Sequence, residues 1–136
     1  MNAPERYEQL IAFLGAHLSG ERHEHADGSI EFMDGEPAEV VVLLTNSNVI
    51  VFEYGAKWET PYTLTPRPRR LAILKWGRMP ETALFDALGV LIRGAREARR
   101  ARFRTCRSCG QNTAPEWLHS ETVCQSCAER EFGAVH

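Results

Sequence analysis

Two Cys-x-x-Cys pairs, Cys106/Cys109 and Cys124/Cys127, stand fourteen residues apart near the end of a 136-residue chain with four cysteines in all. One such pair can grip an ion from a single tight turn, and two pairs complete a tetrahedron of thiolates. The segment that carries them, roughly 30 residues long, is too short to bury a core unaided, so its cross-link decides whether it folds. Its two halves differ. Gly110 directly follows Cys109, where a knuckle needs a small residue to aim backbone N–H groups at sulfur. Cys124 to Cys127 instead runs into Ala128, Glu129, Arg130 and Glu131, which are good helix formers. A helix start near Ser120 or Thr122 favours thiolate charge at the second pair. Knuckle, short hairpin, then a helix bearing the last ligands is a treble-clef layout; a zinc ribbon would show a second knuckle followed by a strand.

Spacing and ligand softness favour one zinc ion held by Cys106, Cys109, Cys124 and Cys127. Competing uses are two disulfides, a redox-active Cys-x-x-Cys, and iron in a rubredoxin-like site. Disulfides or a redox couple leave the paired spacing unexplained, and the second pair lacks the glycine of a second knuckle. Four thiolates leave no position open for water, so the ion is expected to be structural rather than catalytic.

The pattern Cys106-x-x-Cys109-Gly110 followed by Val123-Cys124-Gln125-Ser126-Cys127-Ala128-Glu129 resembles the four-cysteine treble-clef fingers, including those that end bacterial regulators of the DksA/TraR type. The resemblance covers only about the last 32 residues and implies a bound zinc, not an activity. Those regulators carry a coiled-coil hairpin with an acidic tip. Residues 1–79 do not read that way, so the resemblance does not extend to action on RNA polymerase.

Upstream, the pattern is that of an α+β domain. Asn2 can cap a first helix with Pro4 in its first turn, and Tyr7, Leu10, Ile11, Leu14 and Leu18 recur at helical spacing up to a stop at Gly20. Residues 21–28 are polar and turn-rich. Strand signals then follow: Ile30 and Phe32, a turn at Asp34-Gly35, and Val40 to Leu44. The last of these is apolar on both parities, as a central strand covered on both sides would be. Asn46 to Asn48 offers a turn into Val49 to Tyr54, Tyr62 and Leu64 read as a weak edge strand, and Leu71 to Trp76 as the last strand. Pro80 opens a long second helix with Leu84, Leu88, Leu91, Ala95 and Ala98 on one face. The expected architecture is an antiparallel four- to five-stranded β-meander flanked by two helices over residues 1–104, with a treble-clef zinc module over 105–136.

Charge is divided unevenly. Residues 1–65 hold eleven acidic groups and three basic ones, and residues 66–136 hold seven acidic and thirteen basic. Arg93, Arg96, Arg100 and Arg104 fall on one stripe of a helix continued through 107, opposite the leucines, with Arg107 beyond them. Such a stripe can follow a phosphate backbone, serve acidic groups of a protein partner or second copy, or be paired with the acidic N-terminal half. Trp117 either packs with Leu118, Phe132 and Val135 as the module's core or stands out as an anchor for a partner. His23, His25 and Asp27 could chelate, but no third ligand group is evident and the bland reading is an exposed connector.

Neither a serine-hydrolase elbow, nor His-Glu-x-x-His, nor a phosphate-binding glycine loop occurs. The first expectation is a non-enzymatic adaptor that presents surfaces to a protein partner. The second is a DNA- or RNA-binding regulator using the arginine-rich helix 93–107, and the third an enzyme with its site in the meander. No apolar run is long enough to span a bilayer, and MNAPERYEQL lacks the form of a secretory signal, so a cytoplasmic setting with reduced thiols is expected.

Overall fold

The computed structural model describes residues 3–133. Its elements are helix α1 (Ala3–His17), strands β1 (Glu21–Glu24), β2 (Ile30–Asp34), β3 (Val40–Leu44), β4 (Val49–Glu53), β5 (Ala56–Thr60), β6 (Thr63–Pro66) and β7 (Arg69–Leu74), helix α2 (Glu81–Ala101), strands β8 (Arg104–Thr105) and β9 (Asn112–Thr113), and helix α3 (Gln125–Phe132). Single 3-10 turns occupy Trp76–Arg78 and Pro115–Trp117. Pro4 sits in the first turn of α1, as expected; the expected cap at Asn2 lies outside the described residues.

Five strands form one antiparallel sheet in the order β1-β2-β3-β4-β7, with β3 in the middle. The α+β expectation holds. Local chemistry sets the turns. Between β1 and β2 the Asp27 carboxylate accepts the Ser29 backbone N–H at 2.9 Å and its hydroxyl at 2.6 Å, and these bonds hold Asp27 below the usual carboxylate range. Between β3 and β4 the Thr45 hydroxyl oxygen accepts the Asn48 N–H at 3.0 Å. Gly35 turns the chain after β2 at φ +109°, where a Cβ would come within 2.6 Å of Glu39 Cγ.

Three expectations need correction here. The polar stretch before Gly28 is not all connector: Glu21–Glu24 pairs with β2 as an exposed edge strand. Tyr62 and Leu64 do not make an edge of the main sheet. They belong to a separate β5–β6 hairpin, with Tyr62 exposed in its loop and Leu64 in β6, which pairs with β5 as far as Pro66; Pro68, without an N–H to donate, separates it from β7. Trp76 ends no strand; it caps the core from a 3-10 turn, buried, with its indole N–H donated to the Thr45 carbonyl at 3.0 Å.

The middle strand is central and covered on both sides, as expected: Val40, Val41, Val42 and Leu44 of β3 are all buried. Ile30, Phe32, Val40, Val42, Leu44, Val49 and Val51 share one face of the sheet and bury into a single core with Leu10, Leu14 and Leu18 of α1 and Leu84, Leu88, Ile92 and Ala95 of α2. Both long helices therefore lie on that face, side by side, with the Phe13 and Phe85 rings 5.0 Å apart. The opposite face carries Met33, Val41, Leu43, Ile50, Phe52 and Ile73, and none of these belongs to the helix-covered core. The two long helices thus account for the cover on only one of the two faces of β3. The inward face of α2 is also turned from the expected one: Ile92 rather than Leu91 is buried, and the stripe continues through Ala95 to Arg99.

Candidate metal centre and the seam that seats it

The tail folds in the expected order. The chain leaves α2, enters β8, turns through the knuckle Cys106–Gly110, and returns in β9 against β8. Gly110 takes φ +76° and its N–H is donated to the Cys106 carbonyl at 2.8 Å, closing the knuckle. The second pair opens α3, with Cys124 as the residue before its first turn and Cys127 inside it, and Gly133 ends it at φ +65°. A helix after the second pair is the treble-clef rather than the ribbon arrangement. The Ser108 hydroxyl donates to Glu131 at 3.0 Å and ties knuckle to helix.

The sulfur atoms of Cys106, Cys109, Cys124 and Cys127 all lie within 4.8 Å of one another, and Cys109 and Cys124 are 3.9 Å apart. Zinc–sulfur bonds of about 2.3 Å in a tetrahedron put sulfurs about 3.8 Å apart, whereas a disulfide needs about 2.05 Å. The spacing fits a shared ion and not a bridge, and all four are free thiols. Three are buried and Cys109 is exposed. Backbone N–H groups point at Cys106, that of Cys124 from 3.4 Å, and together with that of Cys109 they pull the Cys106 thiol down to about 6. Burial and the neighbouring thiols push Cys127 up to about 12. Four thiolates in so small a space need a cation to coexist, and the site's donor chemistry asks for one. The Arg130 guanidinium donates to Cys127 Sγ at 3.1 Å, the kind of outer contact that orients a ligand. Around the site Val123 and Ala128 bury with Cys106, Cys124 and Cys127 as a small core.

Trp117 is not part of that core. It is 45% exposed and its ring stands edge-on to Trp58 of β5 at 5.2 Å. Of the partners expected for it, Val135 lies outside the described residues, as does the side chain of Phe132. The Trp58 indole N–H is donated to the Glu116 carbonyl at 2.7 Å. Beside it lies a buried ion pair. Arg99, 1% exposed at its side chain, forks onto both carboxylate oxygens of Glu116 at 2.9 and 2.6 Å and donates Nε–H to the Ala38 carbonyl at 3.0 Å. Its guanidinium carbon is 5.1 Å from the Tyr54 and Phe103 ring centres alike.

Other arginines of the expected stripe are scattered. The helix does not run to 107: α2 stops at Ala101, because the chain must turn at Arg102 and Phe103 to enter β8. Arg104 therefore leaves the stripe and donates to the Ala101 and Phe103 carbonyls at 2.8 and 2.9 Å. Arg96 pairs with Asp34 at 2.7 Å and with Glu39 at 3.4 Å, and Arg100 also pairs with Glu39. Arg102 and Arg69 converge on the buried Glu53. Arg93 and Arg107 are exposed and make no ion pair among the described residues. His23 and His25 stack at 4.5 Å and His25 meets Glu31 at 3.5 Å, yet among the described residues only the four cysteines cluster as metal ligands do.

Arg99, Glu116, Glu39 and Glu53 were absent from the sequence-based set of site residues. One signal for Arg99 was available, since it falls four residues after Ala95 on the stripe of Leu84, Leu88 and Ile92. For the glutamates there was none, because their partners lie far away in sequence. No helix among the described residues is long and apolar enough to cross a membrane. Comparison with family models, with curated proteins and with solved structures returns no match, so the likeness to DksA/TraR-type fingers rests on the cysteine pattern alone.

Proposed function

We propose that this chain is a non-enzymatic interaction protein in which one zinc ion, held by Cys106, Cys109, Cys124 and Cys127, shapes a docking surface and performs no reaction. Softness of the four sulfur donors and their tetrahedral spacing support zinc over harder ions. A four-thiolate shell leaves no site for an activated water, and a reducing cytoplasmic setting would keep the thiols available.

The observation that carries the docking role is Trp117. Its ring is half exposed although its neighbours are fixed: Glu116 is forked by Arg99, the Glu116 carbonyl is held by Trp58, and Cys124 follows a few residues on. A large aromatic presented on a rigid seat loses little entropy on binding and is the residue type that anchors protein interfaces. Nucleic-acid contact is less well supported, since Arg96 and Arg100 are engaged by Asp34 and Glu39, and Arg104 has left the stripe to donate to backbone carbonyls.

Affinity capture under reducing conditions tests the reading, with Trp117→Ala compared with the parent chain and nuclease-treated with untreated lysate. The expected result is a defined set of captured proteins that survives nuclease and about 0.5 M salt and is lost with Trp117→Ala at unchanged metal content. Capture that vanishes with nuclease or salt, or that ignores Trp117→Ala, overturns it. Elemental analysis returning no metal, or about one equivalent of a different one, removes the zinc.

A further inference from the structure

Around the Arg99–Glu116 pair the seam holds two cavities of opposite character, both lined in part by Tyr54 and Glu116. In the first, Arg67, Arg69, Arg99 and Arg102 outnumber the acidic groups, and each is already held by a carboxylate: Arg67 by Glu59, Arg69 and Arg102 by Glu53, Arg99 by Glu116. The second, of about 310 Å³, has no basic side chain in its lining. Its acidic groups are Glu21 at the start of β1, Glu36 in the β2–β3 turn, and Glu116 of the tail. Glu116 is engaged by Arg99, whereas Glu21 and Glu36 make no ion pair among the described residues. Between these groups Met33, Leu64 and Trp117 supply apolar and aromatic wall. The Tyr54 phenol registers the field: burial raises it first, Glu116 and Glu21 add to the rise, and Arg99 opposes it.

We infer that this second cavity receives a lysine side chain of the protein partner, the ammonium group served by Glu21 and Glu36 and the methylene stem lying along Met33, Leu64 and Trp117. The inference rests on the docking role of Trp117 and names the chemistry that meets it. Charge decides the sign of the ligand: an anion would face carboxylates with no cation in the wall, and a wholly apolar group would desolvate them without return. A cation on an apolar stem suits both parts of the lining. Two carboxylates arriving from different elements suit an ammonium, which carries three donors on one atom, better than a guanidinium fork matched to one carboxylate. Trp117 adds the aromatic partner that a cation prefers, and its ring is still 45% exposed. The Tyr54 ring, by contrast, already has the Arg99 guanidinium 5.1 Å from its centre.

The probe is n-butylammonium, which has the carbon stem and the ammonium of a lysine side chain. Titrated at constant ionic strength into the full, metal-loaded, nitrogen-15-labelled chain, it should shift the Trp117 indole signal saturably and leave that of Trp76, buried in the main core, in place. n-Butanol and n-butyrate should leave Trp117 unmoved, and methylammonium, with less stem to bury, should bind about fivefold more weakly or worse. Glu21→Gln/Glu36→Gln changes two exposed positions without changing their size. At unchanged circular dichroism and metal content it should weaken butylammonium about tenfold or more and lose the proteins whose capture depends on Trp117. A Trp117 signal indifferent to butylammonium, or equally responsive to butanol, overturns the inference while leaving the Trp117 anchor intact, provided capture is still lost with Trp117→Ala. Butylammonium binding with no capture defect in the double variant assigns the cavity to free amines and overturns the partner's lysine. Capture that ignores Trp117→Ala removes the docking role itself, and the partner's lysine with it.

Discussion

Arg99 is the residue on which the two parts of the molecule meet. It continues the buried stripe of α2, yet it is an arginine, and burial of an unpaired guanidinium costs several kcal/mol. Glu116 removes that penalty with a two-oxygen fork, the Ala38 carbonyl takes Nε–H, and the Tyr54 and Phe103 rings flank the plane. Burial raises Tyr54 above its ordinary phenol value, and the Glu116 carboxylate adds to the rise while Arg99 opposes it. Breaking the pair from one side leaves a buried charge. Glu116→Ala should therefore lower unfolding free energy by about 3–5 kcal/mol in urea titrations, and Arg99→Met/Glu116→Leu should recover most of the loss. A double variant no more stable than Glu116→Ala would show that the cost lies elsewhere than in the orphaned guanidinium.

Helix α2 works as a strap. Its first turns bury leucines on the sheet, and its last turns hold down the acidic β2–β3 turn through Arg96 and Arg100 before the chain hands over to the knuckle. Arg96→Glu/Arg100→Glu then places two carboxylates beside Asp34 and the buried Glu39, and a loss of about 2 kcal/mol or more is expected in thermal or urea melts. In any nucleic-acid assay this variant is consequently a folding variant first, and Arg93→Glu/Arg107→Glu is the cleaner probe. The elements of the tail depend on the ion in the same direct way. Cys124→Ser should release metal and leave β8, β9 and α3 without hydrogen-exchange protection, because a tail of about 30 residues has no core large enough to stand alone. Protected tail amides in that variant would contradict a structural ion.

Across the whole molecule the uneven charge of the two halves is largely met internally. Arg96 and Arg100 reach Asp34 and Glu39, and Arg69 and Arg102 reach Glu53, so basic groups after residue 65 meet acidic groups before it. The tail is fastened to the same network through Glu116. Removing the metal should thus do more than melt the tail: it frees Glu116 from Arg99 and should lower the melting temperature of the sheet domain as well. A chelator titration followed by calorimetry checks this. An upstream transition that stays at its metal-loaded temperature would show that the seam carries little energy.

What the sequence by itself determined is whatever depends on near neighbours. Cysteine spacing, Gly110 and the helix formers after Cys127 specify the knuckle, hairpin and helix, because chelation and capping act within a few residues. Helical periodicity places α1 and α2, alternation places β2, and runs of β-branched residues place β3 and β4, for the same local reason. The tertiary structure decided the rest. Whether Val41 and Leu43 lie under a helix, whether Arg96 meets phosphate or Asp34, and whether Trp117 is core or surface all depend on groups brought from elsewhere in the chain. Such encounters leave no period in the sequence: the partner of a buried charge is named by the fold, since only packing brings a glutamate 17 residues on to the inward side of a helix.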